Sequence, residues 1–446
     1  MNSPKDTGPP AITSIGVKGF KSIRDRQTIA IAPLTVLAGA NSSGKSSVIQ
    51  PLLLMKQTIE APYDPGPLLI KGPFRDFNFF DQMLFHTSNL RDLKKTDELE
   101  LKLTTEMNVD FSVVYKRSES SVGKPIQIKH QYVSVPGLKL KLTSQMSDSD
   151  IRSQLKDSVF KDVGNGYKHF VFRERCFLRG GIQHGRDESA NGIDFTSPYI
   201  QNIQFHLVNF QVLGNARGLV SRTHPITNSE TAPQGYFHFY VPSILIRWGM
   251  ESPEKLREIG KILESMRLTW KVKARAKNDS EIEIFVGRTP IGKKSKTAEK
   301  DLVNIADVGL GVSYALPVVT ALIAAMPNQL VYIDQPELHL HPRAQVAMAT
   351  LLAKAAKRGV RVIVETHSSL LILAIQTLVA ETELTPDQVK LHWFQRDDDG
   401  ATTVSTAELD EAGRYGEWPA DFGEIDLEAE SRFIKSSFSR ITLEPV

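Results

Sequence analysis

The chain contains 446 residues, of which 41% are apolar and 24% are charged. These fractions are those of an ordinary globular protein, so they exclude a largely disordered chain. The balance of 54 Lys and Arg residues against 51 Asp and Glu residues gives a formal charge of +3, which is too small to indicate nucleic-acid binding from the overall field.

Other simple features bear on where the protein works. Cys176 is the single cysteine, which excludes a disulfide framework and a Cys-rich zinc site and fits a reducing compartment. The first ten residues, MNSPKDTGPP, are polar and contain three prolines, unlike a signal peptide. The longest apolar stretch, residues 315–326, is too short to cross a bilayer. We therefore expect a soluble cytoplasmic protein with no membrane partner.

The N-terminal segment predicts three strands, a glycine loop and a helix. Residues 12–17 and 27–31 alternate apolar and polar side chains, which is typical of half-buried strands. Residues 34–38 form an almost wholly apolar run, as in a strand that is buried on both faces. The glycine loop follows at once, and a helix is predicted over residues 45–57, with Pro51 kinking it or ending its first segment.

Residues 61–300 have a different texture, in which short apolar runs are separated by Ser, Asp, Gly and Pro. We interpret this region as a β-rich insertion with some helix. The strand-like runs are residues 99–103, 111–115, 127–133, 138–142 and 169–172. A helix with Ser252 as its cap is predicted over residues 252–266, and a hairpin is predicted over residues 269–286.

Alternating buried strands and helices return at about residue 301, which predicts an α/β protein. The predicted helices cover residues 314–325, 342–357 and 368–379, and the predicted strands cover residues 330–333, 360–364 and 389–394. We divide the chain into two parts of one core, the insertion between them and a small acid-rich module. In chain order these four segments are residues 1–60, 61–300, 301–395 and 396–446.

The strongest motif matches the phosphate-binding loop pattern at every fixed position. It is Gly39-Ala40-Asn41-Ser42-Ser43-Gly44-Lys45-Ser46-Ser47. The glycines let the backbone curl, and the exposed amides at the helix start face phosphate oxygens. Lys45 adds a positive charge for the terminal phosphates, and Ser46 can ligate Mg²⁺. An ordinary glycine turn is the alternative, and the buried strand before the loop and the helix after it disfavour that alternative.

Three further motifs lie in the C-terminal part of the core. The apolar run 330–333 ends at Asp334. This is the position from which ATPases with a phosphate-binding loop present a carboxylate to Mg²⁺. Another apolar strand leads to His367, a position suited to sensing a terminal phosphate. The turn that contains Gly309 and Gly311 opens an apolar helix, which makes it a candidate anion site, although a tight helix start is the plainer interpretation of that turn alone.

Two groups of residues leave alternatives open. Glu337, His339 and His341 suit a zinc site if the backbone is extended, although no cysteine joins them. The basic residues of segments 173–186 and 293–296 are interpreted first as solvated surface and second as nucleic-acid contacts.

Taken together, the motifs resemble the ABC-type ATPase core of the RecF/SMC/OLD group. The FKSIRD segment after the first strand resembles the opening of that group. DVGLGVSYALPVV, IDQPELHLHP and ETHSSLLI closely resemble the AAA-family ATPases of the OLD-like class, many of which belong to antiphage and mobile-element systems. Residues 413–422 resemble a small module that follows this core in one subgroup. The resemblance covers residues 11–57 and 301–423 and implies a P-loop head with a mixed sheet and flanking helices.

The resemblance implies a homodimer or higher oligomer in which two heads enclose two ATP molecules. The glycine loop of one head and the turn of the other would contact the same nucleotide, so Gly309, Gly311 and Ser313 would act from the partner. Residues 339–342 would lie at the seam between heads. Gly309 stands where the usual signature Ser is found, so its contact must come from backbone amides or from Ser313. Residues 217–222 resemble an Arg-bearing loop near the nucleotide site of relatives.

The resemblance also assigns roles around the terminal phosphate. Asp334 with Ser46 would bind Mg²⁺, Gln335 with Glu337 would position the attacking water, and His367 would sense the phosphate. Most ABC ATPases carry a catalytic Glu where this chain has Gln335. Because Gln is a poor proton acceptor and general-base catalysis typically contributes about 10²–10⁴ in rate, we expect slow hydrolysis, with ATP working mainly as a clamp.

At the level of biology, the resemblance implies an ATPase sensor or scaffold of bacterial antiphage defence that controls a separate effector, a nuclease or a toxin. The chain ends about fifty residues after the core, which leaves no room for the nuclease domain that OLD-type proteins append. The alternative is a RecF/SMC-like ATPase that binds DNA in repair or maintenance. A transporter subunit is disfavoured, because the insertion is long and β-rich.

Overall fold

The computed structural model of the chain describes residues 9–86, 96–118, 126–156, 167–184, 193–228, 233–288, 301–416 and 431–437. The strands within these ranges are β1 (Ile12–Lys18), β2 (Gln27–Ala30), β3 (Leu34–Gly39), β4 (Glu98–Thr105), β5 (Asp110–Arg117), β6 (Ile126–Val135), β7 (Leu138–Leu142), β8 (Tyr167–Glu174), β9 (Phe177–His184), β10 (Ile193–Asp194), β11 (Gln211–Leu213), β12 (His224–Pro225), β13 (Val272–Ala276), β14 (Glu281–Gly287), β15 (Leu302–Asn304), β16 (Leu330–Asp334), β17 (Arg361–Glu365), β18 (Val389–Arg396) and β19 (Thr402–Ala407). The helices are α1 (Gln50–Glu60), α2 (Asp148–Leu155), α3 (Ser197–Val208), α4 (Val241–Glu251), α5 (Pro253–Ser265), α6 (Leu310–Ala324), α7 (Pro342–Lys357) and α8 (Ser369–Ala380).

One six-stranded sheet, here called the head sheet, has the order β11-β16-β17-β3-β18-β19. Its first five strands are parallel, and β19 is antiparallel to β18. Residues of β16 alternate between two hydrophobic cores, with Val331 and Ile333 in one and Leu330 and Tyr332 in the other. Because both faces of the sheet are buried, its strands are nearly continuous apolar runs.

A second six-stranded sheet, here called the antiparallel sheet, has the order β2-β1-β4-β5-β6-β7. Its strand β4 alternates buried with half-buried residues, so one face is covered and the other meets solvent. The covered face shares a core with α1, α3 and one face of the head sheet. Two smaller antiparallel sheets are formed by β8–β10 and by β12–β15.

Helices α4 to α8 supply the apolar side chains of the core on the opposite face of the head sheet. In the part of the chain that the structure describes, no helix combines the length and the apolarity that a bilayer crossing needs.

The predicted α/β class is confirmed, and three local differences have simple causes. The helix after the glycine loop begins as a short 3-10 turn over Ser46–Val48, and Pro51 then lies in the first turn of α1. Helix α6 begins at Leu310, four residues earlier than predicted, because Gly309 has extended backbone and ends the preceding turn. Ser252 precedes α5 without a side-chain capping bond, and Pro253 in the first turn lacks an amide that needs one.

The region that we interpreted as an insertion contributes strands to both large sheets. Strand β4 pairs with β1, which comes from the N-terminal segment. Strand β11 pairs in parallel with β16 and forms one edge of the head sheet. The proposed domain boundaries stay a prediction.

Candidate nucleotide-binding site

The glycine loop after β3 has two positions at which a larger residue would clash. Gly39 and Gly44 have φ angles of 140° and 104°. A Cβ atom on Gly39 would lie 2.2 Å from the carbonyl oxygen of Phe394, and one on Gly44 would lie 2.4 Å from Oγ1 of Thr402. The end of β18 and the start of β19 therefore press against the loop and fix its shape.

Several backbone amides of the loop, among them those of Ser42, Gly44 and Lys45, have no acceptor among the described residues. Ser42 has a φ angle of 61°, in the left-handed region, so the chain turns sharply there. Unpaired amides that precede a helix bind phosphate oxygens well, so the loop fits a nucleoside phosphate.

The remaining side chains of the loop differ in exposure. Ala40 and Asn41 are exposed, whereas Ser43 and Ser47 are buried. The amides of Ser43 and Ser47 donate to the carbonyl oxygens of Ala40 (3.3 Å) and Gly44 (2.9 Å). These two amides therefore hold the loop in shape and are not free for a ligand.

Lys45 is folded back onto the loop. Its Nζ donates to the carbonyl oxygens of Gly39 (2.9 Å) and Ala40 (2.8 Å), and the residue is only 3% exposed. Burial lowers the pKa of Lys45, and the nearby charges of Glu365 and Asp334 oppose that shift. The ammonium group is thus close to both carboxylates of the site.

Two carboxylates and a hydroxyl meet at the ends of β16, β17 and the loop. Asp334 and Glu365 are register partners on the two strands. The Ser46 hydroxyl donates to Oε1 of Glu365 (2.8 Å), and the Tyr332 hydroxyl donates to Oε2 (2.7 Å). Burial, followed by the charge of Glu365, raises the pKa of Asp334 to about 6. Hard oxygen ligands held close together in this way suit Mg²⁺, which relieves the repulsion between them.

Arg217 supports the backbone that follows Asp334. Its Nη1 donates to the carbonyl oxygen of Asp334 (2.6 Å), its Nη2 to that of Gln335 (2.7 Å) and its Nε to that of Tyr314 (3.3 Å). Burial lowers the pKa of Arg217 to about 10, so the group remains charged at neutral pH. Gln335 has a left-handed φ of 50°, a conformation that these bonds stabilise. Arg217 therefore holds the backbone of Asp334 and Gln335 in place at the end of β16.

Glu337 holds the turn that carries His367. Its Oε1 accepts hydrogen bonds from the hydroxyl of Thr366 (2.8 Å) and the amide of His367 (2.9 Å). Its Oε2 is buried and has no hydrogen-bond partner among the described residues. Burial, followed by the charge of Lys45, lowers the pKa of His367, so its imidazole is neutral at neutral pH. The carboxylate of Glu337 thus has one oxygen left to engage a water or an ion.

Sequence reasoning missed two residues of this site. Glu365 contacts Ser46 directly, and its one sequence signal is a charge at the end of an apolar strand. Arg75 has a buried Nε with no hydrogen-bond partner among the described residues. Its charge opposes the rise in the pKa of Asp334, and together with burial, the larger cause, it lowers the pKa of Lys21 to about 8. Nothing in the local sequence marks Arg75.

Around the turn before α6, the structure leaves Gly309 accessible to a ligand from outside but buries Ser313. Gly309 is exposed, and a Cβ on it would meet open space, so its backbone can be approached from outside. A Cβ on Gly311 would lie 3.1 Å from the Leu268 side chain and 3.3 Å from the His339 carbonyl oxygen. Ser313 is 1% exposed, because it lies on the inner side of α6. We expected its hydroxyl to act from the partner, and in this structure that hydroxyl does not reach the surface.

The alternative zinc site is not formed. Glu337 binds the turn described above, the His339 ring packs 4.5 Å from the ring of Tyr314, and Nδ1 of His341 accepts a bond from the Arg343 amide. Within the described ranges, no three His, Cys, Asp or Glu side chains are grouped to hold a metal ion.

The described arginines of the basic stretch 173–186 form contacts within the chain. Arg173 pairs with Asp64, Arg175 donates to three backbone carbonyls, and Arg179 pairs with Asp194. These contacts favour the interpretation as structural surface. The loop 293–296, Arg186 and the C-terminal residues 417–422 lie outside the described residues.

Comparison with known proteins finds three family models that match parts of the chain. Residues 11–210 match the family model described as "AAA ATPase domain". Residues 227–374 match the model described as "AAA domain, putative AbiEii toxin, Type IV TA system". Two separate parts of the chain thus match AAA ATPase domain models. A third model, described as "Protein of unknown function (DUF3696)", matches residues 384–425 of this ATPase. None of the curated proteins compared with the ATPase matches it.

Three solved structures similar to the ATPase are SMC heads. A head bound to the C-winged helix domain of ScpA is 13% identical, with a TM-score of 0.48 over 90% of this chain and 99% of that one. The head domain from Thermotoga maritima is 15% identical, with a TM-score of 0.42 over 90% and 100%. A Pyrococcus furiosus head with an extended coiled coil, bound to the C-terminal domain of ScpA, is 12% identical, with a TM-score of 0.43 over 90% and 96%. Similarity this low assigns no function to individual residues.

Proposed function

We propose that the ATPase binds ATP with Mg²⁺, dimerises head to head around the nucleotide and controls a separate effector, a nuclease or a toxin, in antiphage defence. The observation that carries the proposal is the cluster of Lys45, Ser46, Asp334 and Glu365 beside unpaired loop amides. Anionic phosphates and a divalent cation together satisfy all of these groups.

In the proposed complex, each group has one task. The amides of Ser42, Gly44 and Lys45 bind phosphate oxygens, and the Lys45 ammonium leaves its two carbonyl partners for the terminal phosphates. Ser46 and Asp334 hold the cation, which neutralises charge on the phosphates. Glu365 releases the Ser46 hydroxyl and accepts hydrogen bonds from the cation's water ligands.

Hydrolysis by this site is proposed to be slow. Gln335 orients a water through its side-chain amide but cannot take its proton. Glu337 has one oxygen occupied by Thr366 and His367, so its main task is to position His367 against the terminal phosphate. ATP then acts mainly by keeping the heads together, and its hydrolysis resets them.

The defence role is supported by the description of the matched model, which names an AbiEii toxin and a toxin–antitoxin system. That description belongs to the family and names no partner of this ATPase. Since the described catalytic groups suit nucleotide phosphates, we assign the toxic or nuclease step to a different protein.

The test is co-expression of the full chain with the product of the adjacent open reading frame. We expect co-purification, ATP-dependent self-association and hydrolysis slower than about 1 per second, with no increase on addition of duplex DNA. Hydrolysis stimulated by DNA in the absence of a protein partner would favour the DNA-repair alternative. A folded chain that ignores millimolar ATP and Mg²⁺ would overturn the proposal entirely.

A further inference from the structure

A basic groove lies against the glycine turn before α6 and includes two arginines, Arg267 and Arg288, that the site described above does not use. It has a volume of about 560 Å³. Its lining comprises Arg267, Leu268, Val286, Gly287, Arg288, Val308, Gly309, Gly311, Val312, His339 and His341. Two arginines and two histidines are therefore present, and none of these lining residues is acidic. We call this surface the basic groove.

Neither arginine of the basic groove has a carboxylate partner among the residues that the structure describes. Both Arg267 and Arg288 are exposed. Arg222, which lies close by in the fold, pairs with Asp307 instead (2.6 Å). A concave surface that holds two unneutralised guanidinium groups is complementary to an anion with several oxygens.

Arg267 is placed in the basic groove by a helix end that ordinarily takes glycine. The Leu268 amide donates to the carbonyl oxygen of Leu263 (2.9 Å), and that of Arg267 donates to Glu264 (2.9 Å), which closes the C-terminus of α5. Arg267 consequently has a left-handed φ of 56°. A Cβ on Gly311 would lie 3.1 Å from the Leu268 side chain, and Arg267 and Gly311 line the same groove, so Arg267 lies beside the glycine turn.

We propose that Arg267 and Arg288 contact the phosphates of the nucleotide held by the glycine loop of a second copy of the chain. They would supply the donors that a signature hydroxyl usually provides, since Gly309 has no side chain and the Ser313 hydroxyl is buried. This inference rests on the proposed head-to-head dimer and adds the residues that recognise the partner's nucleotide. Guanidinium groups fit phosphate oxygens in pairs, which gives them an advantage over a single hydroxyl.

The test uses the full chain with the substitutions Arg267→Gly and Arg288→Ala, separately and together. Glycine at position 267 suits the left-handed backbone, so this variant should melt at or above the temperature of the wild type, and a loss of function cannot be ascribed to misfolding. Arg257→Ala is the matched control, because it removes one exposed positive charge from the same helix, α5, away from the basic groove.

We expect the affinity of the double variant for a fluorescent ATP analogue to stay within about twofold of the wild-type affinity. The double variant should no longer self-associate in response to ATP, and its hydrolysis rate should fall at least about tenfold. Mixing Arg267→Gly with Lys45→Ala should restore hydrolysis above either variant alone. In the mixed dimer both defects fall on one nucleotide, and the other nucleotide has an intact loop and an intact groove.

Three results would overturn the inference: full self-association by the double variant, loss of ATP binding by its isolated subunits, or no restoration in the mixture. Loss of affinity for a labelled DNA duplex, with self-association intact, would assign the groove to nucleic acid instead. If the wild type itself binds ATP but does not self-associate, the proposed function fails rather than this assignment of residues.

Discussion

The head sheet and the antiparallel sheet differ most in how deeply their charged side chains are buried. At the end of the head sheet, Lys45, Asp334 and Glu365 are brought together in a largely buried cluster. On the antiparallel sheet, ion pairs such as Arg26 with Glu100 lie at the solvent-exposed face. The first arrangement is costly unless a ligand completes it, whereas the second is nearly neutral for stability. Buried charge therefore distinguishes the proposed nucleotide site from the antiparallel sheet.

The largest effect that this comparison predicts is that of Lys45→Ala. Because Lys45 is the buried cation of the loop, its removal should weaken ATP binding by about 10²-fold or more while the fold persists. Calorimetric titration with ATP and Mg²⁺ measures the change. The control is Lys139→Ala on the exposed face of β7, which should bind ATP as the wild type does. Equal losses in both variants would contradict the contrast between the sheets.

A smaller effect is expected for Glu365→Gln. The amide can still meet the Ser46 hydroxyl but carries no charge for the cation and its water, so hydrolysis should fall by about 10–100-fold and the Mg²⁺ requirement should rise. Steady-state rates across a Mg²⁺ titration test this. Glu98→Gln, at the antiparallel sheet, is the control and should leave both quantities unchanged. An unaltered Mg²⁺ dependence in the Glu365 variant would remove that residue from the site.

Stability should respond to acid mainly through the head sheet. His392 on β18 is fully buried, its Nε2–H donates to the Ala30 carbonyl oxygen (2.8 Å) and its Nδ1 accepts from the Thr406 hydroxyl (2.9 Å). Burial lowers the pKa of His392 to about 4. Between about pH 6.5 and pH 4, His392 is therefore protonated in the unfolded chain but neutral in the folded chain. The contribution of His392 to the free energy of unfolding should thus fall by about 2–3 kcal/mol between pH 6.5 and pH 4. Asp334, whose pKa is raised, contributes in the opposite direction over the same range.

Urea unfolding at several pH values measures this slope, and His392→Gln should flatten it. His130→Gln on β6, where the histidine is only half-buried, should flatten the slope less. A steeper effect at His130 would reverse the comparison of the two sheets.

The smallest effect is expected at the exposed pair on the antiparallel sheet. Arg26→Ala should lower the free energy of unfolding by about 0.5 kcal/mol, since the Arg26 side chain is half exposed and solvent screens its pairing with Glu100. The loss should shrink further in 0.5 M salt, because the pair is screened at that ionic strength. Urea titrations with and without salt measure it, and a loss above about 2 kcal/mol would show that this sheet also depends on its charges.

The sequence predicted the local parts of the head well. The run that became β3, the glycine loop and the bounds of α7 follow from periodicity and from fixed motif positions. It could not predict the pairing of β1 with β4, which joins segments about eighty residues apart, since many apolar runs alternate in the same way. The contact of Ser46 with Glu365 spans 319 residues and depends on strand order, which a single sequence does not reveal.

Helical phase explains why the Ser313 hydroxyl lies inside the protein and not at the surface, where we expected it. Ser313 follows the glycine turn closely in sequence, yet it faces the protein interior, where its carbonyl oxygen accepts the Leu219 amide. The sequence analysis placed the start of α6 four residues too late, and a shift of a few positions moves a helical residue from one face to the other. The sequence only suggested, by resemblance, that the loop with Arg217 lies near the nucleotide site, and the backbone partners of Arg217 became visible only in three dimensions.

Strand β11 carries a lesson for anyone who would re-engineer this molecule. The middle of the chain returns to the head sheet at β11, and four residues later it delivers Arg217 to the carbonyl oxygens of Asp334 and Gln335. A shortened version that joins residue 60 to residue 301 would thus lose an edge strand of the head sheet and the buried cation that binds the backbone of the proposed nucleotide site. The central segment cannot be swapped as a cassette, and grafts should be confined to turns such as the one between β6 and β7.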